Sequence, residues 1–119
     1  MIGVSKDRLL GWAMRPTWVY ILLCADGRYY TGTYRGEYIE TREDEHNLGV
    51  YPNAYTHKRR PVKLVWAEAF YWATDAIDAK RSIKGWSRVK KEALIRGDYE
   101  ALPGLSKRGP RRKPSEDEN

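Results

Sequence analysis

The first strong pattern in the chain is an apolar run of β-branched and aromatic character, Trp18-Val19-Tyr20-Ile21-Leu22-Leu23-Cys24. Asp26-Gly27, a pair that favours tight turns, follows it, and Arg28-Tyr29-Tyr30-Thr31-Gly32-Thr33-Tyr34 then resumes strand character. Two such runs around such a pair predict a β-hairpin. Residues 38–48 are rich in charge, hold no proline and stop before Gly49, which predicts a short helix closed by glycine with a poor apolar face. Residues 50–60, with Pro52, Asn53 and the basic run His57-Lys58-Arg59-Arg60, read as a loop ahead of Pro61. Alternation returns in Val62-Lys63-Leu64-Val65-Trp66-Ala67-Glu68-Ala69-Phe70 and predicts a third strand.

Two helices are expected next, one capped by Thr74 and running to about Lys84, the other capped by Ser87 after Gly85-Trp86 and ending at Arg96-Gly97. In the first, Ala73, Ala76, Ile77 and Ile83 fall on an inward stripe, and Lys80 falls within it instead of on the polar face. Residues 98–102 add at most one turn. Residues 1–16 show no clear period and end at Arg15-Pro16, a break because a residue before proline is pushed out of the helical region. Pro103, Gly104, Gly109, Pro110 and Pro114, with a basic-then-acidic charge run, predict a disordered tail over 103–119. The expected order is β-β-α-β-α-α. This is an α+β class with a small three-stranded sheet, mixed or antiparallel, one domain over 17–102 and an N-terminal extension over 1–16.

Composition narrows the function classes. A chain of 119 residues suits a single core. The one cysteine, Cys24, lies in an apolar run without a partner, which excludes a disulfide framework and points to a buried thiol in a reducing compartment. The longest apolar run is too short to span a bilayer and no signal-peptide pattern precedes it, so a cytoplasmic protein with no membrane partner is expected. A net charge of +6 favours polyanionic partners. The basic residues concentrate at Lys80-Arg81, Lys84, Arg88, Lys90-Lys91 and Arg96, at Lys58, Arg59 and Arg60, and at Arg111-Arg112-Lys113. No base-reading motif accompanies them, so salt-dependent contacts to phosphates without sequence preference are expected. Trp86, between two basic helices, is read as a core residue or a base-stacking ring.

The hairpin carries the candidate chemistry. Tyr20 and Tyr30 both fall at even positions on adjacent strands and can share a sheet face, and Gly32 leaves room for a close approach. Arg42 and His46 are four apart and neighbours on one helix face. Strand tyrosines commonly serve packing, and an Arg/His pair at this spacing commonly faces solvent, so both readings stay open on the residues alone.

Val19-Tyr20-Ile21, Tyr30-Thr31-Gly32, then Arg42 and His46, resemble the GIY-YIG nuclease pattern. The resemblance extends through Asn47, Gly49, the strand from Arg60 to Trp66 and the block from Ile83 to Ile95. It is similar to small stand-alone bacterial GIY-YIG proteins, predicted endonucleases related to the N-terminal domain of the excision-repair nuclease. The resemblance implies metal-assisted phosphodiester hydrolysis in DNA, branched or single-stranded, with RNA left open, and a connection to DNA repair. It implies that Tyr20 activates water, Tyr30 positions the site, Arg42 stabilises phosphate charge and His46 assists by hydrogen bonding. An unperturbed tyrosine titrates near ~10, so it serves as a base only where a cation steadies its phenolate. Arg42 offers a fixed fork to phosphate oxygens. Gly32, Lys58, Arg59, Arg60, Lys84, Arg88, Lys90 and Lys91 are the expected nucleic-acid contacts.

The family's cofactor would be Mg²⁺ or Mn²⁺, held by a glutamate on the helix after the third strand. Lys80 occupies that position here. A hard divalent cation needs oxygen ligands, which an ammonium does not supply. Lys80 either reaches past the apolar surface to water or brings its own charge to the place of the cation. Asp75 and Asp78 point away from it around the helix, so no metal ligand is assigned. The alternative to an endonuclease is therefore a catalytically silent nucleic-acid-binding module.

Overall fold

The computed structural model describes residues 15–106. The predicted hairpin is formed by β1 (Thr17–Leu23) and β2 (Tyr29–Arg35), and the third strand is β3 (Lys63–Phe70). All pairing is antiparallel, in the order β2-β1-β3, which settles the mixed-or-antiparallel alternative. Gly27 sits at φ +87° in the hairpin turn, a conformation that favours glycine. The Asp26 carboxylate accepts from Arg28 N beside it at 3.1 Å.

β1 is the central strand and is buried on both faces, which is why its sequence is a continuous apolar run. Val19 and Ile21 join Ala76, Ile83 and Leu94 in one core. Tyr20 and Leu22 join Cys24, Ile39 and Val62 in another on the opposite face. The free Cys24 is buried there, and burial pushes its thiol pKa up. The β3 alternation is broken by a bulge: Ile21 faces Trp66 but Leu22 faces Leu64, so Val65 is extra. The bulge puts Leu64 and Ala67 on the Tyr20 face while Val65 and Trp66 pack with Ile21.

Helix α1 (Glu40–Leu48) begins two residues later than the charge pattern suggested and ends as expected, with Gly49 left-handed at φ +76°. The only buried residue within it is His46. It is held to the sheet by polar bonds: Asn47 exchanges two with Val62, at 3.0 and 2.7 Å, and Glu43 accepts from Leu64 N at 2.7 Å. These bonds explain how a helix with so little apolar face docks with a fixed orientation.

α2 (Ala73–Lys84) and α3 (Arg88–Ile95) follow β3. Thr74 does not cap α2. Trp72, with extended backbone, is the capping residue and makes no side-chain cap bond. Only Ala76 and Ile83 in α2 are buried, with Ala79 packed beside them, whereas Ala73 is exposed and Ile77 is 42 % exposed. The inward arc is thus narrower than the predicted stripe and rotated toward Ala79, which leaves Lys80 at its rim. Ser87 caps α3 as expected, accepting from Lys90 N at 3.2 Å. A short 3₁₀ turn (Tyr99–Ala101) leads into α4 (Leu102–Ser106). Helical backbone thus continues past the expected boundary at 102, because Leu102 packs on the Ile21 core and Pro103 suits a first helical turn. The rest of the tail and nearly all of the N-terminal extension lie outside the described residues. Among the described residues no helix is long and apolar enough to cross a membrane.

Candidate functional site

Register brings the candidate residues together. Tyr20 stands opposite Gly32 and Leu22 opposite Tyr30, so the two tyrosines are diagonal neighbours on one face, with ring centroids 6.2 Å apart. A Cβ at Gly32 would lie 2.7 Å from the Tyr20 oxygen and 2.9 Å from the Tyr30 ring. The room at Gly32 is therefore taken by the two tyrosines themselves, which the glycine allows to lie across β2.

α1 brings His46 to this pair. Tyr20 Oη lies 3.3 Å from His46 Nε2, and His46 Nδ1 lies 2.6 Å from Thr56 Oγ1. Tyr20, His46 and Thr56 are all buried. Burial, then the neighbouring Tyr30, push the Tyr20 pKa well above the ordinary tyrosine range, with Arg42 opposing. Burial, then Arg42, pull the His46 pKa below its ordinary value, with Glu45 opposing. Both groups are therefore neutral near pH 7, a protonated phenol beside a free-base imidazole.

Arg42, one turn before His46, is the most heavily bonded residue of the group. Nη1 donates to Glu45 Oε1 at 3.3 Å and to the Tyr51 hydroxyl, and Nη2 donates to Thr33 O at 3.3 Å. Tyr51 in turn donates to Glu45 Oε1 at 2.5 Å, and that bond is the first cause of its raised pKa. The guanidinium carbon lies 4.8 Å from the Tyr34 ring centre and 5.3 Å from that of Tyr51. Arg42 Nε is buried without a hydrogen-bond partner.

The segment between α1 and β3 closes one side of the site. It is pinned to the hairpin turn by Arg59, whose Nε lies 3.0 Å from Asp26 Oδ2 and whose backbone oxygen accepts from Ala25 N. Arg59 also covers the Tyr55 ring at 4.0 Å, and Tyr55 stacks on Tyr30 at 6.1 Å. The result is a cleft of about 500 Å³ lined by Tyr20, Tyr30, Arg42, His46, Tyr51 and Lys80 among others. Tyr20, Tyr30, Gly32, Arg42 and His46, singled out in the sequence, all meet here. Lys80 reaches the cleft from α2, where it is half-buried.

Glu45, Tyr51, Tyr55 and Thr56 belong to the site and escape sequence reasoning. Glu45 could have been found from its i,i+3 spacing to Arg42. Nothing in the loop sequence signals that Gly49 turns residues 51–56 back over α1.

The expected nucleic-acid contacts are placed unevenly. Lys58 and Arg60, with Asn47, His57 and Pro61, line a second cavity of about 520 Å³. Lys84 and Arg88 are exposed, although Arg88 pairs with Glu92 at 3.1 Å and lies over the Tyr29 ring. Arg59 is half-buried in its stack. Lys90 and Lys91 are buried, at 8 % and 6 % exposure, so the basic run on α3 is not a continuous surface toward solvent. Their spacing to Leu94 sets them on the inward side. Lys90 Nζ lies 3.9 Å over the ring of Trp86, which packs on the core, and burial lowers the Lys90 pKa. Trp86 is thus partly buried against the core.

The donor set does not fit a divalent cation. Among the described residues no carboxylate lines the cleft and Lys80 does. Glu45 spends Oε1 on both Arg42 and Tyr51. Among the described residues no three His, Cys, Asp or Glu side chains gather as a metal site.

A sheet in this order with paired tyrosines, an Arg/His helix and a connecting loop over them defines the class. The GIY-YIG catalytic domain model matches residues 16–93, and the chain belongs to the GIY-YIG family. Within it, the relatives carry the name UPF0213. The protein of Syntrophus aciditrophicus is 40 % identical over 89 residues, covering 75 % of this chain and all of its own. That of Desulfotalea psychrophila is 40 % identical over 92 residues, covering 76 % and 82 %. A Staphylococcus aureus protein is 38 % identical over 83 residues, covering 70 % and 98 %. The solution structure of a UPF0213 protein from Bacillus halodurans is 36 % identical with a TM-score of 0.44, covering 76 % of this chain and 97 % of that one. Membership implies nuclease-type function at family level, and nucleases of this family typically use divalent metals.

Proposed function

We propose that the cleft receives a phosphodiester of nucleic acid, DNA in the first instance. The observation that carries this reading is Arg42, held at the cleft wall beside Tyr20, Tyr30 and His46 by Thr33 O, Glu45 and Tyr51. A planar guanidinium steadied by other groups offers a preorganised fork to phosphate oxygens. Lys58, Arg60, Lys84 and Arg88 would add outlying phosphate contacts, sequence-independent and weakened by salt. The test is binding of a fluorescein-labelled single-stranded oligodeoxynucleotide by wild type, Arg42→Lys and Arg42→Ala. Both variants should bind more weakly, the lysine variant because it keeps the charge but loses the fork. Unchanged affinity in Arg42→Ala would remove the cleft from the interaction.

A second reading is hydrolytic turnover, favoured by the chain Tyr20–His46–Thr56. A water would yield a proton to the Tyr20 oxygen as the tyrosine's own proton passes to His46 Nε2. The hydroxide so formed would bond to phosphorus while the ester oxygen departs and takes a proton from solvent. Acting on branched or single-stranded DNA, such an enzyme would serve DNA repair in the cytoplasm. Branched, single-stranded and duplex DNA, and RNA, should then be cut by wild type and left intact by Tyr20→Phe. Failure of wild type to cut any of them would leave binding as the function.

A further inference from the structure

A cleft that binds phosphate needs positive charge, and two cationic side chains line this one. Arg42 comes from α1 and Lys80 from α2, on separate elements, and among the described residues no Asp or Glu lines the cleft with them. Lys80 is half-buried, at the rim of the arc formed by Ala76, Ala79 and Ile83. A divalent ion entering the same space would meet an ammonium and a guanidinium, and the nearby carboxylate of Glu45 is already bonded to Arg42 and Tyr51.

We propose that the cleft carries its cation in covalent form: the Lys80 ammonium and the Arg42 guanidinium together take a phosphodiester anion, without a divalent metal. This rests on the phosphodiester reading above and specifies how that site is charged. The resting state of Arg42 supports it. The Tyr51 hydroxyl and Glu45 occupy Nη1, Thr33 O occupies Nη2, and Nε has no partner. An incoming phosphate oxygen takes over the Nη1 position from the Tyr51 hydroxyl. Tyr51 lies on the loop between α1 and β3, so its displacement leaves the sheet and Tyr20 in place.

The experiment compares binding of the labelled oligonucleotide by wild type, Lys80→Met and Lys80→Glu, each in chelator and in Mn²⁺ at matched ionic strength. Lys63→Met, an exposed lysine on β3, serves as a control for general charge loss. Wild type should bind equally in chelator and Mn²⁺. Lys80→Met should bind about tenfold more weakly and lose about 0.7 from the slope of log affinity against log salt, the signature of one lost phosphate contact on a single strand. Lys80→Glu should be weaker still in chelator and recover in Mn²⁺, because the carboxylate supplies the oxygen that the wild-type cleft lacks. The proposal is overturned if wild type requires Mn²⁺, or if Lys80→Met matches Lys63→Met in affinity and slope. Both of those outcomes leave binding by Arg42 intact. Absence of wild-type binding under either condition overturns the phosphodiester reading and this inference with it. Circular dichroism of each variant separates a lost contact from a lost fold.

Discussion

Thr56 is the hidden member of the site, and removing its hydroxyl probes the proton arrangement of the whole group. It is 1 % exposed, and its Oγ1 lies 2.6 Å from His46 Nδ1. A phenol donates more strongly than an aliphatic alcohol, so we expect Tyr20 to donate to Nε2 and Nδ1–H to donate to Thr56. Thr56→Val keeps the shape and deletes the acceptor. A buried N–H left without a partner costs about 1–3 kcal/mol. For a domain of this size each kcal/mol lowers Tm by about 4–8 °C. Thr56→Ser, which retains the hydroxyl, should lose much less. Thermal unfolding gives the first readout and imidazole ¹⁵N shifts the second: wild type should show the Nδ1–H tautomer, and Thr56→Val should shift the population toward Nε2–H. The reasoning is refuted if wild type is already Nε2–H, or if Thr56→Val changes neither Tm nor the shifts.

Gly32→Ala would put a methyl against Tyr20 and Tyr30 and should cost about 1–3 kcal/mol by overpacking, with a red-edge change in tyrosine absorbance reporting the displaced rings. Gly49→Ala combines a left-handed backbone at φ +76° with a contact of 2.5 Å to Arg60 Nη1. It should lose about 1–2 kcal/mol in urea unfolding. The depressed His46 pKa means that the unfolded chain binds more protons than the folded one below about pH 6.5. Its contribution to stability is full above that pH and is lost as pH falls through the folded value, at most about 1.4 kcal/mol per pH unit. His46→Gln should flatten that part of the stability profile, and an unchanged profile would show that other groups set it.

The hairpin, the third strand, the glycine closing α1 and the Ser87 cap were legible because each depends on residues close in sequence: apolar runs, turn chemistry and caps. The pairing of Tyr20 with Tyr30, and of Arg42 with His46, followed from strand alternation and helical spacing. What the chain could not show by itself depends on contacts between distant segments. The bulge at Val65 reverses which β3 residues face Tyr20, and Asn47 and Glu43 fix α1 by binding β3 backbone instead of burying an apolar stripe. The narrower arc of α2 places Lys80 in the cleft, and the inward side of α3 hides Lys90 and Lys91. Thr56, Tyr51 and Tyr55 enter the site only because Gly49 and the Arg59–Asp26 pair fold the loop back over α1. The sequence determined the elements and the chemical groups they carry, since those are local properties. Tertiary structure alone decided which groups share the cleft, because that depends on how β3 and the loop are anchored across the chain.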